Sequence, residues 1–414
     1  MVRTIVAAIA VAVLCAGPAQ AQVTALTHAT VIDGTGAAPR KDVTIVMENG
    51  RIRDMGPSAS TRVPSGAVVV DASGKFVVPG IINAHGHVGA NPLPQLRQYA
   101  LYGVTTTTSM ATDPDEVVRV REEQKRGDLR GARVLTVKYR FWPDPEIVTP
   151  EQARARVDEI APIADLVKIW VDGAFGTRAK LTPEFTAAVL EQARRHGKIT
   201  LAHVYEYEDA VRVVSQGANI LAHDVRDREV DLAFITMLKG RNVSVISTLA
   251  REEAMFAYGD APAWVDDPFF RKGVPPERIA AIKGGKREEQ ANDPNRSRYR
   301  RALQIDRINL KKLADGGVRI ALGTDSGGAV DRYFIQGWFE HRQMELMVEA
   351  GLTPMQVIQS FSKGASEALG LNRDFGTLAR GKVADLLVLD RNPLEAITGM
   401  RALHAVYLGG RKFE

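Results

Sequence analysis

The chain contains a pair of histidines, His85 and His87, directly after an apolar stretch at residues 77–82. This stretch has the composition of a buried parallel strand. Because side chains alternate along a strand, residues two apart point to the same side. Two neutral imidazoles held in this way can chelate a divalent transition metal. A lone histidine pair is often structural, so a metal site requires further ligands from elsewhere in the chain.

Further metal-ligating side chains fall at the ends of other predicted strands. His203, His223 and Asp325 each close such a strand. The carboxyl ends of parallel strands meet at one rim of a sheet or barrel, so these side chains are expected beside the histidine pair. Four imidazoles and one carboxylate are a typical donor set for a transition metal. The sequence therefore predicts a metal site at this rim.

Lys168 lies inside a predicted strand, among Leu, Val, Ile and Trp residues. An isolated ammonium group is costly to bury, so a core lysine without a compensating group is not expected. One alternative is that Lys168 pairs with a carboxylate in a site that holds a single metal. A second is that Lys138, after the third predicted strand, is the lysine at the metal site in place of Lys168.

Strand-like runs alternate with helical periodicity through the middle of the chain, as in parallel βα units. Residues 183–196 illustrate the helices, with Thr182 as cap and Gly197 as stop. Eight such units predict a (β/α)8 TIM barrel with its functional groups at the carboxyl ends of the strands. An open, doubly wound sheet is the alternative. The predicted strands are 77–82, 104–108, 133–137, 166–171, 198–203, 219–223, 243–247 and 319–325.

Both ends of the chain show short alternating strands separated by turns, including an Asn-Gly hairpin signal at residues 49–50. Either end alone would expose sheet edges, so we expect one small β-sandwich domain built from both. The predicted domains are this composite, 22–76 with 376–414, and the barrel, 77–375. Residues 251–300 exceed what a barrel needs and are expected to form a partly helical lid or a solvated surface.

Composition and the first residues limit the class of protein. Of the 414 residues, 45% are hydrophobic and 25% are charged, which is ordinary for a globular protein. The net charge of +5 is small for this length, so it is only weak evidence for nucleic-acid or membrane binding. Residues 1–21 have a basic start, a short apolar core and a small-residue exit, which predicts a signal peptide cleaved after Ala21 and an exported, periplasmic or secreted protein. Cys15 could indicate a lipid anchor, but the preceding Leu14 argues against that processing. Removal of residues 1–21 would leave no cysteine, and hence no disulfide or thiolate chemistry.

Taken together, these features resemble the amidohydrolase superfamily, particularly its imidazolonepropionase-like and prolidase-like branch. The resemblance spans nearly the whole chain after the signal peptide. Many members have Asp where Asn83 stands, so a contact behind the ligands is expected to differ here. The segments that carry the resemblance are 78–87, 167–169, 202–203, 222–223, 323–326, 351–354 and 376–386.

The resemblance implies a role for each candidate ligand. His85 and His87 look like ligands of the more buried of two divalent ions, which we expect to be zinc. His203 and His223 look like ligands of the more exposed ion. Lys168 looks like the lysine whose CO2-derived carbamate bridges the two. Asp325 looks like a ligand and general base, which takes a proton from a metal-bridging hydroxide and gives it to the leaving nitrogen.

The function implied is an exported amidohydrolase that cleaves C–N bonds in amides, dipeptides or N-acyl amino acids. The substrate is expected to be a small molecule that carries a carboxylate, which Tyr205, Arg226 and Arg251 near the rim could contact. Tyr139, Arg140 and Tyr207 lie on the same loops. We expect no nucleic-acid partner and no stable membrane anchor, and the sequence allows a homo-oligomer.

Two rival functions remain open. A mononuclear deaminase or cyclic-amide hydrolase of the same superfamily would use the His203-x-x-Glu206 spacing to place a glutamate beside the substrate. Alternatively, the barrel could bind a metal or ligand without turnover, because fold alone does not establish catalysis. Lys168 argues against the first rival and Asp325 against the second.

Overall fold

The computed structural model describes residues 23–328 and 334–414. The predicted signal peptide therefore lies outside the described residues. Within them, no helix combines the length and apolar character needed to cross a membrane.

The strands divide into a mixed sheet and several parallel sheets. Each of the eight strands predicted for the barrel is present, and the sixth is the shortest. The strands are β1 Thr24–Val31, β2 Arg40–Glu48, β3 Arg51–Pro57, β4 Val68–Asp71, β5 Phe76–Pro79, β6 Ile81–Asn83, β7 Gly86–His87, β8 Val104–Ser109, β9 Arg133–Thr136, β10 Arg140–Phe141, β11 Leu166–Trp170, β12 Ile199–His203, β13 Ile220–Leu221, β14 Ser244–Ser247, β15 Arg319–Leu322, β16 Ser326–Gly327, β17 Leu386–Leu389, β18 Leu403–Leu408 and β19 Arg411–Lys412.

Helices alternate with the parallel strands, as the sequence predicts. The helix expected over residues 183–196 is confirmed, and the Thr182 side chain accepts a hydrogen bond from the backbone N–H of Phe185. The helices are α1 Pro92–Leu101, α2 Asp115–Lys125, α3 Pro150–Ile160, α4 Pro183–Arg195, α5 Tyr207–Ser215, α6 Leu232–Gly240, α7 Leu249–Ala254, α8 Pro268–Arg271, α9 Pro276–Ala281, α10 Arg287–Ala291, α11 Arg296–Asp315, α12 Trp338–Glu349, α13 Pro354–Gln359 and α14 Ala365–Ala368.

The parallel strands form a TIM-barrel-like α/β fold. Strands β6, β8 and β9 pair in one sheet, and β10 to β15 pair in another. The N–H of Asp165, just before β11, donates to the carbonyl of Thr136 in β9 at 2.8 Å. The N–H of Ala84, just after β6, donates to Leu322 in β15, also at 2.8 Å. These bonds connect the two sheets at both edges. The apolar residues between them include Ile82, Leu166, Leu201, Ile220, Ile246 and Ala321.

Both ends of the chain contribute to the mixed sheet, whose order is β19-β18-β17-β5-β1-β2-β3, with β4 paired to β1. Its buried face has its own apolar cluster, which includes Leu26, Ile45, Val77 and Leu386. The sequence predicts β structure at both ends, and this pairing shows how the two ends meet.

The apolar stretch before the histidine pair is not one strand, as the sequence predicts, but two. Residue Gly80 donates its N–H to Asp385 beside the mixed sheet, whereas Ile81 donates to Gly103 beside the parallel sheet. A Cβ atom at Gly80 would lie 2.3 Å from the side chain of Thr105, so the chain needs a glycine where it changes sheet. Both halves are fully buried, so their composition alone does not reveal the break.

The segment at residues 251–300 is largely helical, as expected, because it carries α8 to α10 and the start of α11. It is not only a solvated surface. Tyr258 and Phe270 are almost completely buried in the main core, and the Phe270 ring lies edge-on to Trp338 at 5.2 Å between centroids. These aromatic contacts attach the segment to α12.

Candidate metal centre

A short pair of parallel strands holds the first candidate ligands in place. Strand β7 carries His87 and pairs with β16, so that Gly327 lies opposite His87. Gly327 has a φ of 90°, and a Cβ there would lie 2.3 Å from the His87 carbonyl oxygen. Asp325 also has a positive φ, 61°, which is uncommon for any residue other than glycine. The backbone is thus bent sharply to bring Asp325 against the histidine pair.

His85, His87 and Asp325 form a compact cluster. The Asp325 Oδ1 atom is 2.7 Å from His87 Nε2 and 3.3 Å from His85 Nε2. Each residue offers one ligand atom, and these atoms all lie within 4.8 Å of one another. Burial alone would raise the pKa of Asp325, but the hydrogen bond from His87 and the positive charge of Arg251 help to lower it well below its usual range. The carboxylate is therefore ionised at neutral pH.

Lys168 is 1% exposed, and its Nζ atom lies 3.4 Å from His85 Nε2. Among residues 23–328 and 334–414, no carboxylate oxygen lies within 4.0 Å of this nitrogen, so the structure gives no support to a simple ion pair at Lys168. Burial lowers the pKa of the amine to about 7, against a smaller opposing effect of Asp325. At neutral pH much of this lysine is an uncharged amine.

His203 and His223 extend the cluster along the rim. The His223 ring centroid is 4.4 Å from that of His85 and 4.2 Å from that of His203. His223 Nδ1 lies 2.7 Å from the Thr248 hydroxyl. His203 Nε2 lies 3.1 Å from the carboxylate of Asp172. The structure thus brings all six predicted ligands, including Lys168 and Asp325, to one region.

The donor set fits a metal on two independent grounds. Two buried imidazole nitrogens, His223 Nε2 and His87 Nδ1, have no hydrogen-bond partner among the described residues, which is unusual for buried polar atoms. Burial also lowers the pKa of His203 to about 3 and holds those of His85 and His223 well below 6.5. Neutral imidazoles are the form that binds metals.

Asn83 supports the cluster from behind. Its side-chain oxygen accepts the backbone N–H of His85 at 2.9 Å, and its side-chain nitrogen donates to Glu340 at 2.5 Å. Glu340 also accepts from the hydroxyls of Thr324 and Ser326, at 2.9 and 2.8 Å. An amide at position 83 can donate to this buried carboxylate, which an aspartate at the same position would repel.

Arg226 does not lie open to a substrate, as the sequence suggests, but is 1% exposed inside the protein. Its Nε atom is 2.9 Å from Glu252 Oε1, and its Nη1 donates to the carbonyls of Val204 and Asp224. Its charge is thus neutralised internally, with Tyr205 stacked on the guanidinium at 4.8 Å.

Arg251 and Tyr205 lie closer to the opening. Arg251 Nη1 donates to the same Glu252 oxygen at 2.6 Å, while its Nε atom is 3.7 Å from Asp325 Oδ2. Tyr205 is half-buried, and its ring meets that of Phe175 edge-on at 5.2 Å. Their contact with a substrate stays a prediction. The shared Glu252 links the orientation of Arg251 to that of Arg226.

The two alternative residues from the sequence lie in ion pairs away from the cluster. Glu206, which the mononuclear rival requires, is bonded to Lys180, and its side chain is 43% exposed. Lys138 donates to Asp115 at 2.6 Å and to the carbonyl of Asp113 at 3.1 Å. Neither side chain is directed to the histidines by these contacts.

Sequence reasoning missed several residues that hold the ligands. Asp172 directly follows β11 and could have been found by the rule that identified His203, since it is also polar and at a strand end. Thr248 follows β14 in the same way. Glu340 carries no such signal, because it lies in α12, far from Asn83 in sequence.

Comparison with known proteins gives the family of the chain. The sequence model of the Amidohydrolase family matches residues 76–412. An adenine deaminase from Mesorhizobium japonicum is 24% identical over 353 residues, which cover 83% of this chain and 50% of the relative. An ochratoxinase from Aspergillus niger is 24% identical over 263 residues, which cover 61% of this chain and 46% of the relative. The chain thus matches about half the length of these curated relatives.

Solved structures show the same fold. A Xaa-Pro dipeptidase with methionine bound in its active site superposes with a TM-score of 0.73 at 20% identity. The match covers 95% of this chain and 100% of the dipeptidase.

Proposed function

We propose that this chain, which belongs to the amidohydrolase family, is a metal-dependent hydrolase of C–N bonds in small carboxylate-bearing amides, such as dipeptides and N-acyl amino acids. The observation that carries the proposal is the position of Lys168. Within residues 23–328 and 334–414 this buried amine has no carboxylate within 4.0 Å and lies 3.4 Å from His85 Nε2, where an isolated ammonium group would be costly. Next to four imidazoles and an ionised aspartate it is suited to a binuclear centre.

The residues would divide between two divalent ions, which we take to be zinc. His85, His87 and Asp325 would hold one ion, and His203 and His223 the other. The neutral amine of Lys168 would add to CO2 and release a proton, which would give a carbamate anion that, together with the Asp325 carboxylate, offsets part of the positive charge of the two ions. When bound, the ions supply an activated water and polarise the scissile carbonyl.

Asp325 acts as the general base and then the general acid. Its Oδ1 faces both histidines, at 2.7 and 3.3 Å, so Oδ2 is the oxygen that takes the proton of the attacking water. The same oxygen then delivers that proton to the leaving nitrogen. The positive φ of Asp325 and the hydrogen bond from its N–H to the His85 carbonyl, 2.7 Å, keep the carboxylate in position for both transfers.

Deamination is the second candidate function. The similarity to an adenine deaminase favours it, whereas the ion pair of Glu206 with Lys180 counts against a glutamate that reaches the substrate. Both reactions cleave a C–N bond with water, but their products differ. An N-acyl amino acid releases an amino acid, and adenine releases ammonia.

We also propose the finer architecture and the cellular location. The hydrogen bonds of Ala84 and Asp165 support a closed (β/α)8 barrel, and the shared mixed sheet supports one composite β domain at its side. The pattern of residues 1–21 supports export with cleavage after Ala21.

The test is hydrolysis of a library of dipeptides and N-acyl amino acids by zinc-reconstituted protein, beside Lys168→Ala. We expect about two ions per chain in the wild type. We expect Lys168→Ala to lose activity on the order of 10³-fold, because the bridging anion contributes several kcal/mol to the metal centre. Lys138→Ala is the matched control, since this lysine is ion-paired elsewhere, and it should keep both metal and activity.

Other outcomes would favour the rivals. A single ion per chain with release of ammonia from adenine, or opening of cyclic amides, would favour the mononuclear enzyme. A fully metal-loaded protein that hydrolyses no amide, lactone or phosphoester would favour a binding protein.

A further inference from the structure

Two arginines lie against the same two indole rings near the metal centre. The Cζ atom of Arg140 is 4.5 Å from the ring centroid of Trp170 and 4.9 Å from that of Trp142. The Cζ atom of Arg178 is 4.8 Å from Trp170 and 5.6 Å from Trp142. We call these four residues the arginine–tryptophan cluster. Their rings provide a rigid support for both guanidinium groups.

The cluster borders the predicted metal ligands. Arg140 in β10 is the direct parallel partner of Lys168 in β11, so the two side chains point to the same face of the sheet. Trp170 lies two residues beyond Lys168 on that face. Its ring is 4.6 Å from the ring of His203, measured between centroids. A group bound at the cluster would therefore sit beside the reacting centre.

The two guanidinium groups have no counter-ion in the part of the chain that the structure describes. No carboxylate there lies within 4.0 Å of either, and the buried Nε of Arg140 has no hydrogen-bond partner. Burial and the charge of Arg178 lower the pKa of Arg140, and the charge of Asp325, which lies beyond ion-pair distance, opposes this only in part. By contrast, Arg226 and Arg251 share Glu252. Two like charges held together without an anion are unfavourable, and a bound anion would relieve this repulsion.

We propose that the arginine–tryptophan cluster is the subsite that binds the free carboxylate of the substrate. This inference rests on the proposed hydrolase function and assigns the carboxylate contact to Arg140 and Arg178 instead of Arg226. Two guanidinium groups offer parallel N–H donors that match the two oxygens of a carboxylate. The indole faces exclude water on one side and strengthen the contact. Amides with a free carboxylate are thus preferred over their neutral carboxamides.

Binding of hippurate and its neutral analogue hippuramide tests the subsite in the metal-loaded protein. Because hippurate is itself an N-acyl amino acid, binding of both probes is followed by stopped-flow tryptophan fluorescence, which Trp142 and Trp170 report, before any turnover. The wild type should bind hippurate about 10- to 100-fold more tightly than hippuramide, as expected for hydrogen bonds between charged groups. Arg140→Gln and Arg178→Gln should each remove most of this preference, because they weaken the binding of hippurate far more than that of hippuramide.

Two further variants serve as controls for folding and for charge. Arg178 is exposed, so its substitution cannot act by disrupting the core. Arg97 is also stacked on a ring, with its Cζ 5.2 Å from Phe413, but it lies on the outer helix α1. Arg97→Gln should keep the wild-type preference. Equal affinity of the wild type for both probes, or a preference that survives in Arg178→Gln, would overturn the subsite.

Kinetics separate this inference from the proposed function. For an amide that the library identifies, Arg178→Gln should raise KM for the acid about 10-fold or more and leave the values for its carboxamide unaltered. If the wild type hydrolyses the acid and Arg178→Gln does so equally well, only the subsite is wrong. If the metal-loaded wild type hydrolyses no amide of the library but still binds hippurate more tightly than hippuramide, the hydrolase function is wrong and the anion site remains.

Discussion

The hydroxyl of Thr248 should control the affinity of the metal centre through His223. Thr248 is 1% exposed, His223 is completely buried, and their side chains meet at 2.7 Å. With Nδ1 bonded to the hydroxyl, His223 would present Nε2, which has no hydrogen-bond partner among the described residues, to the proposed metal. Thr248→Val keeps the shape of the side chain but leaves the ring N–H buried and unpaired.

The expected magnitude follows from this single contact. Loss of a ligand's hydrogen-bond partner weakens metal binding about 10- to 100-fold, which corresponds to about 1.4–2.7 kcal/mol. A buried polar group left unpaired costs about 1–3 kcal/mol of unfolding free energy, so the metal-free protein should also be destabilised by an amount in this range. Competition with a fluorescent zinc chelator measures the first quantity, and urea unfolding in EDTA measures the second.

Thr186→Val is the matched control for this experiment. Thr186 is fully buried in α4, and its hydroxyl lies 2.8 Å from Gln216, remote from the histidines. It should lose stability without any change in zinc affinity. If Thr248→Val binds zinc as tightly as the wild type and merely loses the same stability as Thr186→Val, then His223 is not a ligand through Nε2 and the second metal position fails.

Three further predictions concern groups outside the metal cluster. Burial lowers the pKa of His341 to about 3, so below pH 6.5 the unfolded chain binds more protons than the folded protein. The free energy of unfolding therefore decreases as the pH is lowered through this range. Between pH 7 and 5 the wild type should lose about 2 kcal/mol of unfolding free energy relative to His341→Gln, measured by urea unfolding, and an equal pH dependence of the two proteins would contradict the buried neutral imidazole. Glu252→Gln removes the counter-charge of the buried Arg226 and leaves Arg251 only its longer contact with Asp325. This variant should cost about 3–5 kcal/mol of unfolding free energy, whereas the exposed Glu208→Gln should cost under about 1; a loss of less than about 1 kcal/mol at Glu252 would contradict the buried ion pair. Export predicts that intact-mass measurement of protein from an exporting host shows cleavage after Ala21, and a full-length chain in the exported fraction would contradict it.

The strands and the main ligands could be predicted because their signals are local. Most of the parallel strands are short runs of apolar or β-branched residues, and a polar residue at the end of such a run is expected at the rim whatever the rest of the chain does. In the structure His203 ends β12, whereas His223 and Asp325 lie shortly beyond β13 and β15. The same rule should also have identified Asp172.

What could not be predicted depends on contacts between distant segments. An arginine near the rim can face a substrate or a carboxylate from the next loop, and the sequence does not distinguish the two for Arg226. The change of sheet at Gly80 is hidden because both flanking strands are fully buried. Phe270 lies in α8 within a segment rich in charged residues, so its burial against Trp338 could not be predicted from composition.

The pairing of β17 with β5 has a consequence for synthesis of the protein. On the ribosome, β5 emerges more than three hundred residues before its neighbour, so its edge stays open while the barrel is being made. An open apolar edge invites pairing with other nascent chains. A chaperone that shields Val77 and Val78 during this interval would raise the yield, and chains stopped before residue 386 would be prone to aggregate.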